Sequence, residues 1–201
     1  MVVNTVAVLQ RENARLQENN EELAAENQKL RTFLNILNTL ATRAPGIVSD
    51  ADLLPVIDET FNAALDLLDA PSGSVLLLDE DTNELQFVLV RGPLGSNLLG
   101  YRIPADEGIA GWVIRHKQAA LVRDVRRDAR FSSTIDESFK FHTLSIAAAP
   151  LIGDGKILGV IEALNQPTDD PFSETDLEML RLICFMAGEI LINIERVEPG
   201  A

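Results

Sequence analysis

One cysteine, one tryptophan, one tyrosine and two histidines are all that the 201-residue chain holds of these side chains. Cys184 alone cannot form an intrachain disulfide, and most cysteine-rich metal sites are excluded with it. No His, Asp and Glu spacing reaches that of a metal site. No apolar run approaches the roughly 20 residues that a membrane-spanning helix needs. The opening MVVNTVAVLQRENAR also lacks the basic start and small-residue cleavage site of a secretory signal, so a cytoplasmic address is expected. Basic residues are scarce, 17 against 31 acids for a net charge of -14. Residues 1–43 balance five acids with five bases, which leaves the whole deficit beyond them. That acidic remainder would be repelled by phosphate backbones, and a nucleic-acid binder is not expected.

What the chain does have is apolar content, 46%, enough for a real core, and a heptad row. Leu9, Leu16, Leu23, Leu30 and Leu37 recur every seventh position. Placing them at d puts Asn13, Asn20, Asn27 and Leu34 at a, a pattern that predicts a left-handed coiled coil. An asparagine at a pairs with its own copy across a parallel, in-register dimer, whereas other packings bury the amide unpaired at about 1–3 kcal/mol. The amides therefore trade stability for register. Only a few residues precede the first zipper leucine and none is basic, so a DNA-binding zipper is set aside. From Phe33 the apolar face widens, and the rod of residues 1–43 is expected to run directly into a globular domain over 44–201.

Within that domain the apolar period changes several times. After a turn-like stretch at 44–50, DLLPVIDETFNAALDLL carries a helical stripe, with Asp52 as N-cap so that Pro55 falls in the first turn. SVLLLDE and ELQFVLVRG are strand runs joined by the acidic turn DEDTNE, with a third short strand near LLGYRIP. GIAGWVIRHK reads as a helix, ALVRDV as a strand, and LSIAAAPLI with ILGVIEALN as a hairpin turned by GDGK. A final helix opens on a capping pattern of Ser173 and Asp176. It carries two apolar stripes, one for the sheet and one for a second helix, either the end of the rod or its copy in a partner. The fold class is α+β with a mainly antiparallel sheet.

From about Leu53 to Ile194 the chain resembles a GAF domain, a small-molecule sensor module of signalling proteins. The resemblance rests on SVLLLDED, EGIAGWVIRHKQAALVRDVRRDARF, SIAAAPLIGDGKILGVIEALNQ and FSETDLEML, which stand in the family's order. It implies a six-stranded antiparallel sheet with helices on both faces. It also implies terminal helices bundled at a dimer axis behind the sheet and a ligand pocket in front. Family membership names no ligand. In cyclic-nucleotide-responsive members, Asn-Lys, then Phe, then Asp-Glu follow the last strand. Here Asn165, Phe172 and Asp176 match, while Gln166 and Leu177 replace the lysine and glutamate, so that motif's Lys–Asp pair cannot form. SFKFHTLS holds His142 but no cysteine, unlike members that attach a bilin. One cysteine on the closing helix cannot provide the thiol relay of members that reduce methionine sulfoxide.

Candidate ligand-binding residues are Phe131, Phe139, Phe141, His142, Thr143, Ser145 and Glu162. The three phenylalanines either grip a planar or apolar ligand or fill the pocket themselves. His142 is either a ligand donor, even an axial haem ligand, or a histidine with satisfied hydrogen bonds. Glu162 alternates with Val160 and Leu164 and points either into the pocket or toward helix ends; buried, it needs a partner. Arg115, Lys117, Arg123, Arg126, Arg127 and Arg130 reverse the local charge, for an anionic partner or for pairing with the domain's own acids.

No nucleophile, base and orienter can be assembled, so catalysis is not expected. No cofactor is indicated. The expected function is a dimeric sensor or regulatory module that couples an unidentified small molecule to its dimer helices. The alternative is a non-enzymatic assembly protein whose pocket is closed by its own side chains. No output domain follows Val197, so the signal passes to a separate protein or the chain is a piece of a longer one.

Overall fold

The computed structural model describes residues 2–44, 47, 49–166 and 172–197. Of the turn-like stretch at 44–50, Pro45, Gly46 and Val48 lie outside the described residues, as does everything after Val197. The chain divides into two compact units, residues 1–35 and 36–201. The described residues of the first are all helical, the greater part of α1 (Val2–Arg43). In the single chain Leu9, Leu16, Leu23, Leu30 and Leu34 are exposed, as are Asn13, Asn20 and Asn27. Asn27 Oδ1 accepts a 3.2 Å bond from Arg31 Nε. In the second unit Ile36 and Leu40 are buried and Leu37 is half-buried.

The second unit is built on six antiparallel strands in the order β3-β2-β1-β6-β5-β4. They are β1 (Ser72–Asp79), β2 (Glu84–Arg91), β3 (Arg102–Pro104), β4 (Ala120–Val122), β5 (Ile146–Gly153) and β6 (Lys156–Leu164). Helices α2 (Asp50–Leu67) and α6 (Glu174–Val197) cover one face. The other face carries the short α3 (Gly95–Leu98), α4 (Gly108–His116) and α5 (Thr134–Phe139). The α+β class, the antiparallel sheet and the helices on both faces agree with the sequence reading.

Burial on both faces explains why β5 reads as an apolar run rather than an alternation. Ala147, Ala148 and Ala149 are small because α6 approaches from one side and α4 from the other. Pro150 sits in β5 without breaking it. The edge strand β4 pairs only with Ile146–Ala148, so the missing N–H falls on an uncovered edge. The β5–β6 hairpin turns through Asp154 (φ 49°) and Gly155 (φ 73°), two successive positive φ angles that match the right-handed twist of the strands.

Two boundaries depart from the sequence reading. Helix α2 begins at Asp50 with Ser49 as N-cap, so Asp52 lies inside the helix and is not its cap. Pro55 is then an interior proline, and its ring nitrogen leaves the Ala51 carbonyl without the ladder bond. The helix α3 between β2 and β3 had no periodic signal, because four residues are too few to show one. The cap of α6 follows the expected pattern: the Asp176 carboxylate accepts from Ser173 N at 2.8 Å and Ser173 Oγ at 2.7 Å, and Asp176 N donates back to Ser173 Oγ at 3.1 Å.

Backbone contact fixes how closely α6 lies on β5. A Cβ placed on Gly188 would collide with the Ile152 backbone, and one on Gly153 with the Gly188 carbonyl. Gly188→Val should therefore cost about 2–4 kcal/mol in urea unfolding. Gly155→Ala meets nothing within 4 Å and carries only its positive φ, at about 1 kcal/mol. Equal losses from both would contradict the close approach.

Candidate functional site

Side chains alternate along β6, so Val160, Glu162 and Leu164 share one face while Ile161 and Ala163 point to the other. The register sets Ser74 of β1 and Ala148 of β5 on either side of Glu162. A cavity of about 100 Å³ opens above this row, between the sheet and the α3–α5 segment. It has room for several water-sized spheres and is not filled by the chain's own side chains. Its walls are mostly apolar, with Phe87 and Val90 from β2, Ile109 from α4, Phe131, Ile135 and Ile146 among them.

Of the residues proposed from sequence, Phe131, Phe141, Thr143 and Glu162 line the cavity. Phe139, His142 and Ser145 are not on its wall. Phe139 packs edge-on against Tyr101 with ring centroids 5.3 Å apart. The His142 side chain is exposed, and its carbonyl accepts from Asn165 Nδ2 at 2.7 Å. Ser145 is buried at the start of β5, where its carbonyl accepts from Asn165 N at 3.1 Å. Asn165, Phe172 and Asp176, the three residues matching the cyclic-nucleotide motif, therefore act as local fasteners. Asn165 clips the end of β6 to residues 142–145, Phe172 is fully buried, and Asp176 caps α6. Gln166 Oε1, in the lysine's place, is buried with no partner among the described residues.

The polar lining includes four residues that sequence reasoning missed: Ser74, Arg91, Glu107 and Asp136. Ser74 had a signal, a hydroxyl in an apolar strand. The others gave none, because loop and short-helix carboxylates are usually solvated. Glu107 is the N-cap residue of α4, where its charge complements the helix dipole. Ser132 Oγ and Thr134 Oγ1 both donate to its Oε1 at 2.5 Å, and these bonds hold its carboxyl below the usual range. Asp136 on α5 accepts from Thr143 N at 2.8 Å and from Thr143 Oγ1 at 2.7 Å. Two carboxylates thus tie the roof of the cavity to its walls. Arg91 is turned toward α2, donating to Asp66 Oδ1 at 2.6 Å and to the Asn62 carbonyl at 3.1 Å.

Glu162 differs from both acids. It keeps some accessible surface because it lines the cavity, yet protein surrounds its carboxyl on every other side. Among the described residues its one hydrogen bond is a long 3.3 Å contact from Ser74 Oγ. Burial outweighs that bond and pushes the carboxyl up to about 7 from 4.5. Cys184 lies buried on α6, its thiol pushed up by burial. Most of the basic residues of 115–130 are engaged: Arg126 and Arg127 with Asp124, Arg130 with Asp128, Arg123 with Glu174, and Lys117 with the Gly155 carbonyl.

The family profile of the GAF domain matches residues 52–191. The chain belongs to the GAF domain family. Solved GAF domains of phosphoenolpyruvate-protein phosphotransferases share its fold. The domain from Acinetobacter is 20% identical with a TM-score of 0.67, over 85% of this chain and 96% of that one. The domain from Coxiella burnetii is 17% identical with a TM-score of 0.69, over 83% and 95%. Among curated proteins, the cone cGMP-specific 3',5'-cyclic phosphodiesterase subunit alpha' of Mus musculus is 33% identical over 85 residues, 42% of this chain. The match covers 10% of that protein, so this chain spans about a tenth of the length of such relatives. No described helix of this GAF chain is long and apolar enough to cross a membrane.

The Glu162 carboxyl makes stability depend on pH. Its folded pKa lies above the unfolded value, so the native state holds the extra proton between about pH 4.5 and 7. Native stability from this group is therefore full below pH 4.5 and falls as pH rises through 7. Glu162→Gln should match the wild type near pH 5 and exceed it by up to about 3 kcal/mol at pH 8, read from urea unfolding at both pH values. A constant difference between the two proteins at all pH values would contradict the desolvation.

Proposed function

We propose that this chain is a non-catalytic, dimeric sensor or regulatory module, in which a small molecule bound in the GAF cavity biases the arrangement of helices at the dimer axis. The observation that carries the reading is the cavity itself, set between sheet and roof and holding a carboxyl that has no cationic partner among the described residues. A protein that only assembled would gain by filling such a space, since side chains there would bury further apolar surface. Dimerisation is supported by the exposed leucine row of α1 with asparagines at the intervening seam positions. Further support comes from α6, where Phe185 is 51% exposed on a helix whose other side is buried. The non-catalytic assignment is supported by the lack, among the described residues, of a positioned nucleophile, with the thiol of Cys184 buried and protonated.

A ligand shifts such a dimer only by binding one helical arrangement more tightly than the other. The output then belongs to a separate protein or to further chain. Light scattering should give twice the chain mass. The triple variant Asn13→Leu, Asn20→Leu, Asn27→Leu should melt higher and change its oligomeric state, since asparagines at a trade stability for register. A monomer in both proteins would remove the coiled-coil dimer from the account.

A further inference from the structure

We infer that the cavity takes a small organic cation, an apolar body bearing a protonated amine or amidine, with Glu162 as its counter-ion. The inference rests on the sensor reading of the same cavity and specifies its ligand chemistry.

Three carboxyl groups and one guanidinium line the space. Anions are disfavoured first by position. The leading amides of α4 are where an anionic group would ordinarily settle, but the chain's own Glu107 stands at that helix end, its charge held by Ser132 and Thr134. Arg91, the lining's cation, already serves Asp66 and the Asn62 carbonyl. Asp136 has both oxygens occupied by Thr143. What remains unmet is Glu162, an acceptor pair offered one long hydroxyl contact. A carboxylate inside a protein accepts strong, charge-assisted bonds from N–H donors, and nothing else in the cavity supplies one. The mostly apolar walls fit the rest of the ligand through burial rather than polar contacts.

The other charged groups of the lining are Glu107 before α4, Asp136 on α5 and Arg91 on β2, and among the described residues none of these three hydrogen-bonds to Glu162. Glu162 holds its proton near neutrality in the free protein. An ammonium group arriving beside it favours the ionised form, so binding at pH 6 should release about one proton.

Calorimetry with benzylamine, benzyl alcohol and benzoate separates the possibilities, each titrated into the full chain and into Glu162→Gln. Benzylamine should bind wild type at least about tenfold more tightly than benzyl alcohol, with proton release visible between buffers of different ionisation enthalpy, and Glu162→Gln should erase that preference. The variant keeps the side chain's shape and should fold, which its thermal melt verifies. Benzyl alcohol or benzoate binding as tightly as benzylamine would overturn the cation and leave the pocket reading standing. So would a benzylamine preference that survives Glu162→Gln. No heat from any of the three at millimolar concentration would overturn both.

Discussion

The alternation of side chains along β6 is the constraint on which the rest depends. Strand geometry sends neighbouring residues to opposite faces, so one register decides both the core and the site. Ile161 and Ala163 go to the face of α2 and α6, while on the other face Val160 enters the core and Glu162 and Leu164 line the cavity. A slip by one residue would bury Glu162 among aliphatic side chains and expose Ile161 to the pocket. The strand pairing therefore defends the position of a carboxyl as firmly as it defends the core.

The two faces of the sheet are built on different terms. Behind it, α6 settles so close to β5 that Gly153 and Gly188 leave no space for a side chain, and three alanines complete the contact. In front, α3, α4 and α5 are short: α4 packs its buried side on β5 and β6, and carboxylate clips at Glu107 and Asp136 join the segments. Helix α6 covers one face at backbone contact, and the short segments of the other leave the cavity between themselves and the sheet.

Much of this was legible in the sequence, for identifiable reasons. Strands and long helices announce themselves through period, and β1, β2, β5, β6, α4 and α6 fall where the pattern put them. Glu162 was visible as an acid in an apolar alternation, and its choice of face was decided only by the register. Phe139 was misjudged because α5 is too short to show which side its residues take, and it turned to Tyr101. His142 gave a chemical signal without a structural one, and its side chain is exposed. Glu107 and Asp136 escaped notice because a loop carboxylate looks the same in sequence whether it is solvated or tied to hydroxyls. The cap of α2 at Ser49 rather than Asp52 reflects two capping residues in one stretch, between which composition cannot choose.

The cavity's chemistry reduces to one carboxyl that its surroundings desolvate and do not neutralise. Carbon-13 NMR of the labelled glutamate side chains, titrated from pH 4 to 9 with Glu162→Gln to assign the resonance, tests this most directly. The account predicts that Glu162 titrates near pH 7. A midpoint in the ordinary carboxylate range, close to 4.5, would contradict it.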